Sequence, residues 1–128
     1  MKDDTKILCD FNDKLACKDE ILFDVGATIK YIKLLEEFIV MTNNTRKSYI
    51  EYVYKTDRAE THDDLIRKQQ NMKNDLRLQF LAERFDYLKE QLEDDKTVLN
   101  EQRTRLLRIN KLIEMRVKKY PFLKKYEK

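Results

Sequence analysis

The chain of 128 residues contains one glycine, Gly26, and one proline, Pro121. Tight β-turns draw on those residues, so a sheet has almost no turn chemistry here. One glycine also cannot build the loop that cradles a nucleotide phosphate. Tryptophan is absent, and histidine occurs once, at His62 beside Asp63 and Asp64. That trio lacks a third well-placed metal ligand, and Thr61-His62-Asp63-Asp64 reads as a helix start, with acids near the N-terminus. The two cysteines, Cys9 and Cys17, stand eight apart with no Cys or His group to complete a zinc site. We read them as reduced thiols and expect no metal and no cofactor. No apolar run reaches the roughly 18 residues of a membrane span. The start Met1-Lys2-Asp3-Asp4 lacks the apolar core of a secretory signal. A cytosolic or nuclear chain is the expectation, which leaves the Asn43-Asn44-Thr45 sequon idle. No Ser-His-Asp or Cys-His grouping has positional support, so neither enzymatic activity nor a small-molecule substrate is expected.

What is abundant is charge, at 40% of residues, with Lys, Leu, Glu and Arg prominent as in long helices. Aromatics at 10% are too many for a purely disordered tail. The bulky residues lie in long stripes. The expected fold is therefore all-α: extended long helices that form a coiled coil or helical bundle with partner chains.

The clearest stripe is C-terminal. Leu81, Phe85, Leu88, Leu92, Leu99, Leu106, Ile109, Ile113 and Tyr120 follow alternating steps of four and three, the heptad rule. With Phe85 at position a, the a column is Phe85, Leu92, Leu99, Leu106, Ile113 and Tyr120. The d column is Leu81, Leu88, Asp95, Gln102, Ile109 and Arg116. Polar residues at d cost stability but can set register and partner. An uninterrupted helix from Leu81 to Tyr120, at about 1.5 Å per residue, is a rod of roughly 60 Å. A stripe of that length needs neighbours, either partner chains or helices of the same chain. If it binds partners, replacing Leu99 and Leu106 with Asp releases the chain. Replacing outward-facing Glu101 and Thr104 with Lys does not.

Residues 1–42 read as a first long helix. Leu8, Phe11, Leu15, Leu22, Val25, Ile29 and Ile32 keep the same spacing, with Lys18 as a polar break. Leu35 and residues 38–41 then widen the apolar surface. With Ile29, Ile32 and Leu35, the seam residues of both stripes form the candidate partner interface. Gly26 costs roughly 1 kcal/mol inside a helix; a kink, a close helix approach and simple tolerance all account for it. Thr42-Asn43-Asn44-Thr45 favours caps and turns, so a short turn or weak kink is expected. Residues 43–75 form a break followed by a polar segment, either solvated helix or linker. Residues 76–120 are the heptad helix, ended by Pro121. Residues 121–128 are a basic and aromatic tail. It reads as a frayed end with solvated Lys, or as a contact for acidic lipid or a partner.

Charge is uneven. Residues 1–24 carry four Lys against seven Asp and Glu, and residues 100–128 carry ten Lys and Arg against three Glu. Such ends suit antiparallel or staggered helix packing, or a basic tail near an acidic surface. The basic residues are mixed into a heptad seam and form no dense basic region, so nucleic acid is not the expected partner.

Ala27-Thr28, Lys33-Leu34-Leu35-Glu36 and Thr42 resemble the central signature of subunit two of the biogenesis of lysosome-related organelles complex one, BLOC-one. Leu8-Cys9 with Phe11, Lys14 and Ala16 resembles that family's start. Tyr49 and Glu51 resemble its Tyr-x-Glu step, and Lys118-Lys119 with Leu123-Lys124-Lys125 and Glu127-Lys128 its Lys-rich end. The likeness is dense over residues 8–51, and the polar middle is longer than the family's. The C-terminal half is also similar to the KxDL-motif subunit, through Glu83-Arg84-Phe85, Lys96-x-x-Leu99 and Tyr120-Pro121. Val98 stands where that motif has Asp. The resemblance implies a non-enzymatic scaffold subunit in a hetero-oligomer of small helical proteins. It implies endosomal sorting with BLOC-one, or lysosome positioning with the related complex BORC, which recruits a small Arf-like GTPase and couples lysosomes to kinesin. It implies indirect or peripheral membrane association at the cytosolic face of lysosomes or endosomes. The alternative class is a nucleic-acid-binding or cytoskeletal coiled coil.

Overall fold

A computed structural model describes residues 2–55 and 61–127. Met1, Lys128 and residues 56–60 of the polar middle lie outside the described residues. The chain is all-α, with no strand among the described residues. Its α-helices are α1 (Lys2–Tyr54), α2 (His62–Asn74) and α3 (Leu76–Lys119), followed by a 3₁₀ helix over Pro121–Tyr126. The long helices α1 and α3 pack against each other.

α1 runs through residues 42–45, where composition pointed to a turn or kink. The reason is local. The Thr45 hydroxyl donates to the Met41 carbonyl at 2.8 Å, so it turns back onto its own helix rather than capping an end. Thr42 is buried. Gly26 sits within the same helix, and a Cβ added there meets nothing within 4 Å. No close helix approach accounts for that glycine.

α2 begins where the acids suggested. Thr61 is its N-cap: its side-chain oxygen accepts from the Asp64 N–H at 3.2 Å, and the Asp64 carboxylate accepts from the Thr61 N–H at 3.2 Å. That reciprocal box satisfies two donors that a helix start leaves unpaired. α3 starts at Leu76, where the apolar pattern resumes, and Pro121 opens the 3₁₀ helix after it.

The chain divides into two compact units, Met1–Tyr31 with Asp95–Lys128 and Ile32–Asp94. The first has an apolar nucleus of Phe11, Ile109, Ile113 and Leu123, with Ile7, Leu8, Leu15, Ile21, Leu106, Val117 and Tyr120 packed around it. Phe11 and Leu123 are fully buried. Burying a side chain of that size is worth about 1.5–3 kcal/mol. So the tail is anchored through Leu123 and does not hang free. Beside the nucleus, Asp10 accepts from the Lys14 ammonium at 3.0 Å and lies 3.4 Å from the Arg116 guanidinium. The hydrogen bond from Lys14, then the two positive charges, hold the Asp10 carboxyl below the usual range.

The second unit buries Ile32 and Leu35 of α1 and Leu78, Leu81 and Leu88 of α3. It also has a polar hub at Asp75. One carboxylate oxygen accepts from the Tyr49 hydroxyl at 2.7 Å and the Tyr54 hydroxyl at 2.5 Å. The other accepts from the Arg77 and Leu78 N–H groups at 2.9 and 3.3 Å, which caps α3. The Asp75 N–H in turn donates to the Met72 carbonyl at the end of α2. One residue thus ties the end of α1 to both neighbouring helices. The Arg77 guanidinium lies 5.1 Å over the Tyr49 ring.

Candidate partner interface

The heptad columns of α3 are the ones the structure buries. Leu81, Leu88, Leu99, Ile109 and Ile113 are buried, and Phe85, Leu92, Leu106 and Tyr120 are half-buried. The polar members Asp95, Gln102 and Arg116 are half-buried in the same seam. Glu101 and Thr104, on the outward side, are exposed. On α1, Phe11, Ile32 and Leu35 are buried, and Leu8, Leu15 and Ile29 are half-buried. Leu22 is 45% exposed, while its neighbour Ile21 packs on the nucleus of the first unit. The seam residues Leu8, Phe11, Leu15, Leu106, Ile109, Ile113 and Tyr120 come together in that unit.

Two seam groups are left without a partner. Asp95 Oδ2 and Gln102 Oε1 are buried and make no hydrogen bond. They sit one heptad apart at d. A buried acceptor without a donor costs about 1–3 kcal/mol. The Arg116 member of the same column is instead paired with Asp10.

Closing the seam leaves a different apolar set in solvent. In the first unit, α1 exposes Leu22, Phe23 and Tyr31, and α3 exposes Leu107, Leu112 and Met115. In the second, α1 exposes Leu34, Phe38, Val40 and Met41, and α3 exposes Phe80 and Tyr87. Phe23, Ala27, Tyr31, Leu34, Phe38 and Met41 are themselves spaced by fours and threes. Composition alone shows residues 38–41 only as a widening of the first stripe. The repeat from Phe23 was the signal for a second one.

Asp75, Leu78 and the anchoring Leu123 are functional positions that the heptad pattern from Leu81 does not include. An Asp directly before the resumed apolar pattern at Leu76 was the available sign of a helix cap. Cys9 and Cys17 are exposed free thiols. No group of three metal-ligating side chains occurs among the described residues, and no described helix is long and apolar enough to cross a membrane. Comparison with family models, curated proteins and solved structures finds no match to this chain.

Proposed function

We propose that the chain is a non-enzymatic helical scaffold subunit of a multi-subunit complex of the BLOC-one or BORC type, acting in endosomal and lysosomal trafficking. The observation that carries this reading is the apolar surface α1 keeps in solvent after its own seam is closed. Phe23 is 77% exposed, Met41 60% and Tyr31 52%. Scattered exposed apolar residues are ordinary, but a set that recurs in steps of three and four along one helix forms a stripe that fits another helix. In this reading the inner seam holds the chain's own helices together, and the outer stripe of α1 receives helices of other small subunits.

The resemblance of residues 8–51 to the subunit-two family supports the choice of complex, and that of the C-terminal half supports a KxDL-type subunit as the alternative within the same assemblies. Peripheral association with the cytosolic face of lysosomes or endosomes follows from membership in such a complex. Affinity purification of the tagged full chain from its own cells is the test. Recovery of several other small helical proteins is expected. Nucleic acid or tubulin as the main partner would overturn the reading in favour of a nucleic-acid-binding or cytoskeletal coiled coil.

A further inference from the structure

The C-terminal end of the first unit combines charge, apolar surface and a fixed geometry. Lys111, Lys118, Lys119, Lys124 and Lys125 are all exposed. Lys111, Lys118 and Lys124 line one open cleft with Met115, Val117 and Pro121; Glu114 and Glu127 line it too. Met115 is 59% exposed, and Phe122 and Tyr126 are 39% exposed. These positions are held in place. Leu123, at 0% exposure, pins the 3₁₀ helix into the apolar nucleus, so Phe122 and Lys124 are displayed from a built support. The Lys119 and Lys125 ammoniums lie 5.4 and 5.1 Å over the rings of Tyr120 and Tyr126.

Nearby negative charge does not cancel this surface. Asp10 is engaged by Lys14 and Arg116. The exposed acids Asp3, Asp4 and Asp13 belong to α1 and do not line the cleft. Three lysines against two glutamates leave the cleft positive, and Lys119 and Lys125 add to the field beside it.

We propose that this end of the molecule docks on an anionic lipid bilayer. Lysines attract anionic headgroups within about a Debye length, and their stems lie along apolar surface while the ammonium stays wet. Met115, Phe122 and Tyr126 are the side chains that enter the headgroup boundary, where apolar and aromatic groups are favoured. Nucleic acid fits this surface less well. Base and phosphate readout favours arginine, and the one arginine within residues 111–125, Arg116, is paired with Asp10. Exposed apolar residues between the lysines have no role against a phosphate backbone. The inference stands apart from the subunit reading, because it needs no partner chain.

The test is sedimentation of the purified full chain with vesicles at about 0.15 M salt. One vesicle set is phosphatidylcholine alone; the other carries about one-third phosphatidylserine. Binding to the anionic vesicles should exceed binding to neutral ones by about tenfold or more and fall as salt rises. The triple variant Lys111→Gln, Lys118→Gln, Lys124→Gln should lose most of the preference for anionic vesicles while keeping the wild-type melting curve. Phe122→Ser should weaken binding and leave its salt dependence in place. If the triple variant melts differently, the salt dependence of the wild-type chain decides. Equal binding to both vesicle sets, salt-independent binding, or an undiminished triple variant overturns the proposal. Tighter binding to a duplex oligonucleotide than to anionic vesicles in the same buffer also overturns it.

Discussion

The two units solve the same problem with different chemistry. The first closes on an apolar nucleus, in which Phe11 and Leu123 are removed completely from water. The second buries leucines and isoleucine of both long helices and adds a hydrogen-bonded hub, with two tyrosine hydroxyls on one aspartate. Apolar closure is strong and nearly indifferent to pH. Polar closure is directional, and it is tied to the ionisation of its members. Among the described residues, the buried seam acceptors without a donor, Asp95 and Gln102, lie in the first unit.

The most severe way to break this contrast is at Phe11. Phe11→Ala removes a fully buried ring from the nucleus and should cost about 3–5 kcal/mol, read as a fall in the thermal midpoint by circular dichroism. An effect below about 1 kcal/mol would mean that the nucleus does not hold the unit together.

Next comes a gain. Asp95→Leu with Gln102→Leu removes two buried acceptors that have no donor, so the double variant should be more stable by roughly 1–3 kcal/mol per site. Chemical denaturation measures it. A loss of stability would show that these groups are satisfied in solution.

The hub should respond to pH in both directions. Hydrogen bonds from Tyr54 and then Tyr49 hold the Asp75 carboxyl below its ordinary value of 3.8. The stabilisation linked to it is present above that value and is lost as pH falls through the lowered one. The bond to Asp75 pushes the Tyr54 phenol up from 10.0 to about 12. Its contribution is complete below pH 10 and disappears as pH rises through about 12. The phenolate absorbance of Tyr54 should therefore appear late in an alkaline titration, and Tyr54→Phe should remove that late step. A Tyr54 that titrates at its ordinary value would dissolve the hub.

The smallest expected effect sits at Gly26. A Cβ there has open space, so Gly26→Ala should raise stability by about 1 kcal/mol. A decrease on denaturant melting would reveal a contact or kink that the open space around Gly26 does not show.

How much of this was readable from residues alone differs along the chain. The α3 seam is readable from Leu81 onward, because its apolar side chains repeat through successive heptads and burial follows them; Leu78, one heptad before Phe85, extends the same column. On α1 the column through Phe11, Lys18, Val25 and Ile32 is flanked about equally by Ile21 and Leu22. The opposing helix decides between them, and it chooses Ile21. Of the two readings of residues 42–45, the turn is excluded because α1 runs through them; the Thr45 back-bond and the burial of Thr42 depend on the helix already present. The hub joins residues 26 and 21 positions apart, so no local pattern announces it. Only its capping half, an Asp before Leu76, was written locally. Leu123 likewise looks like part of a loose tail until the pocket made by Phe11, Ile109 and Ile113 exists.

In the proposed division of labour, the inner seam folds the chain and the outer stripe of α1 recruits other helices. The direct measurement compares Phe38→Lys with Met41→Lys against Leu99→Asp with Leu106→Asp, in one purification of the tagged chain and one melting experiment. Phe38 and Met41 are exposed, so their double variant should melt within about 0.5 kcal/mol per site of the wild type yet lose its helical partners. The Leu99 and Leu106 variant should lose the fold first, since charge enters a buried seam. Full recovery of partners by the Phe38 and Met41 variant, with an unchanged melting curve, would contradict the account.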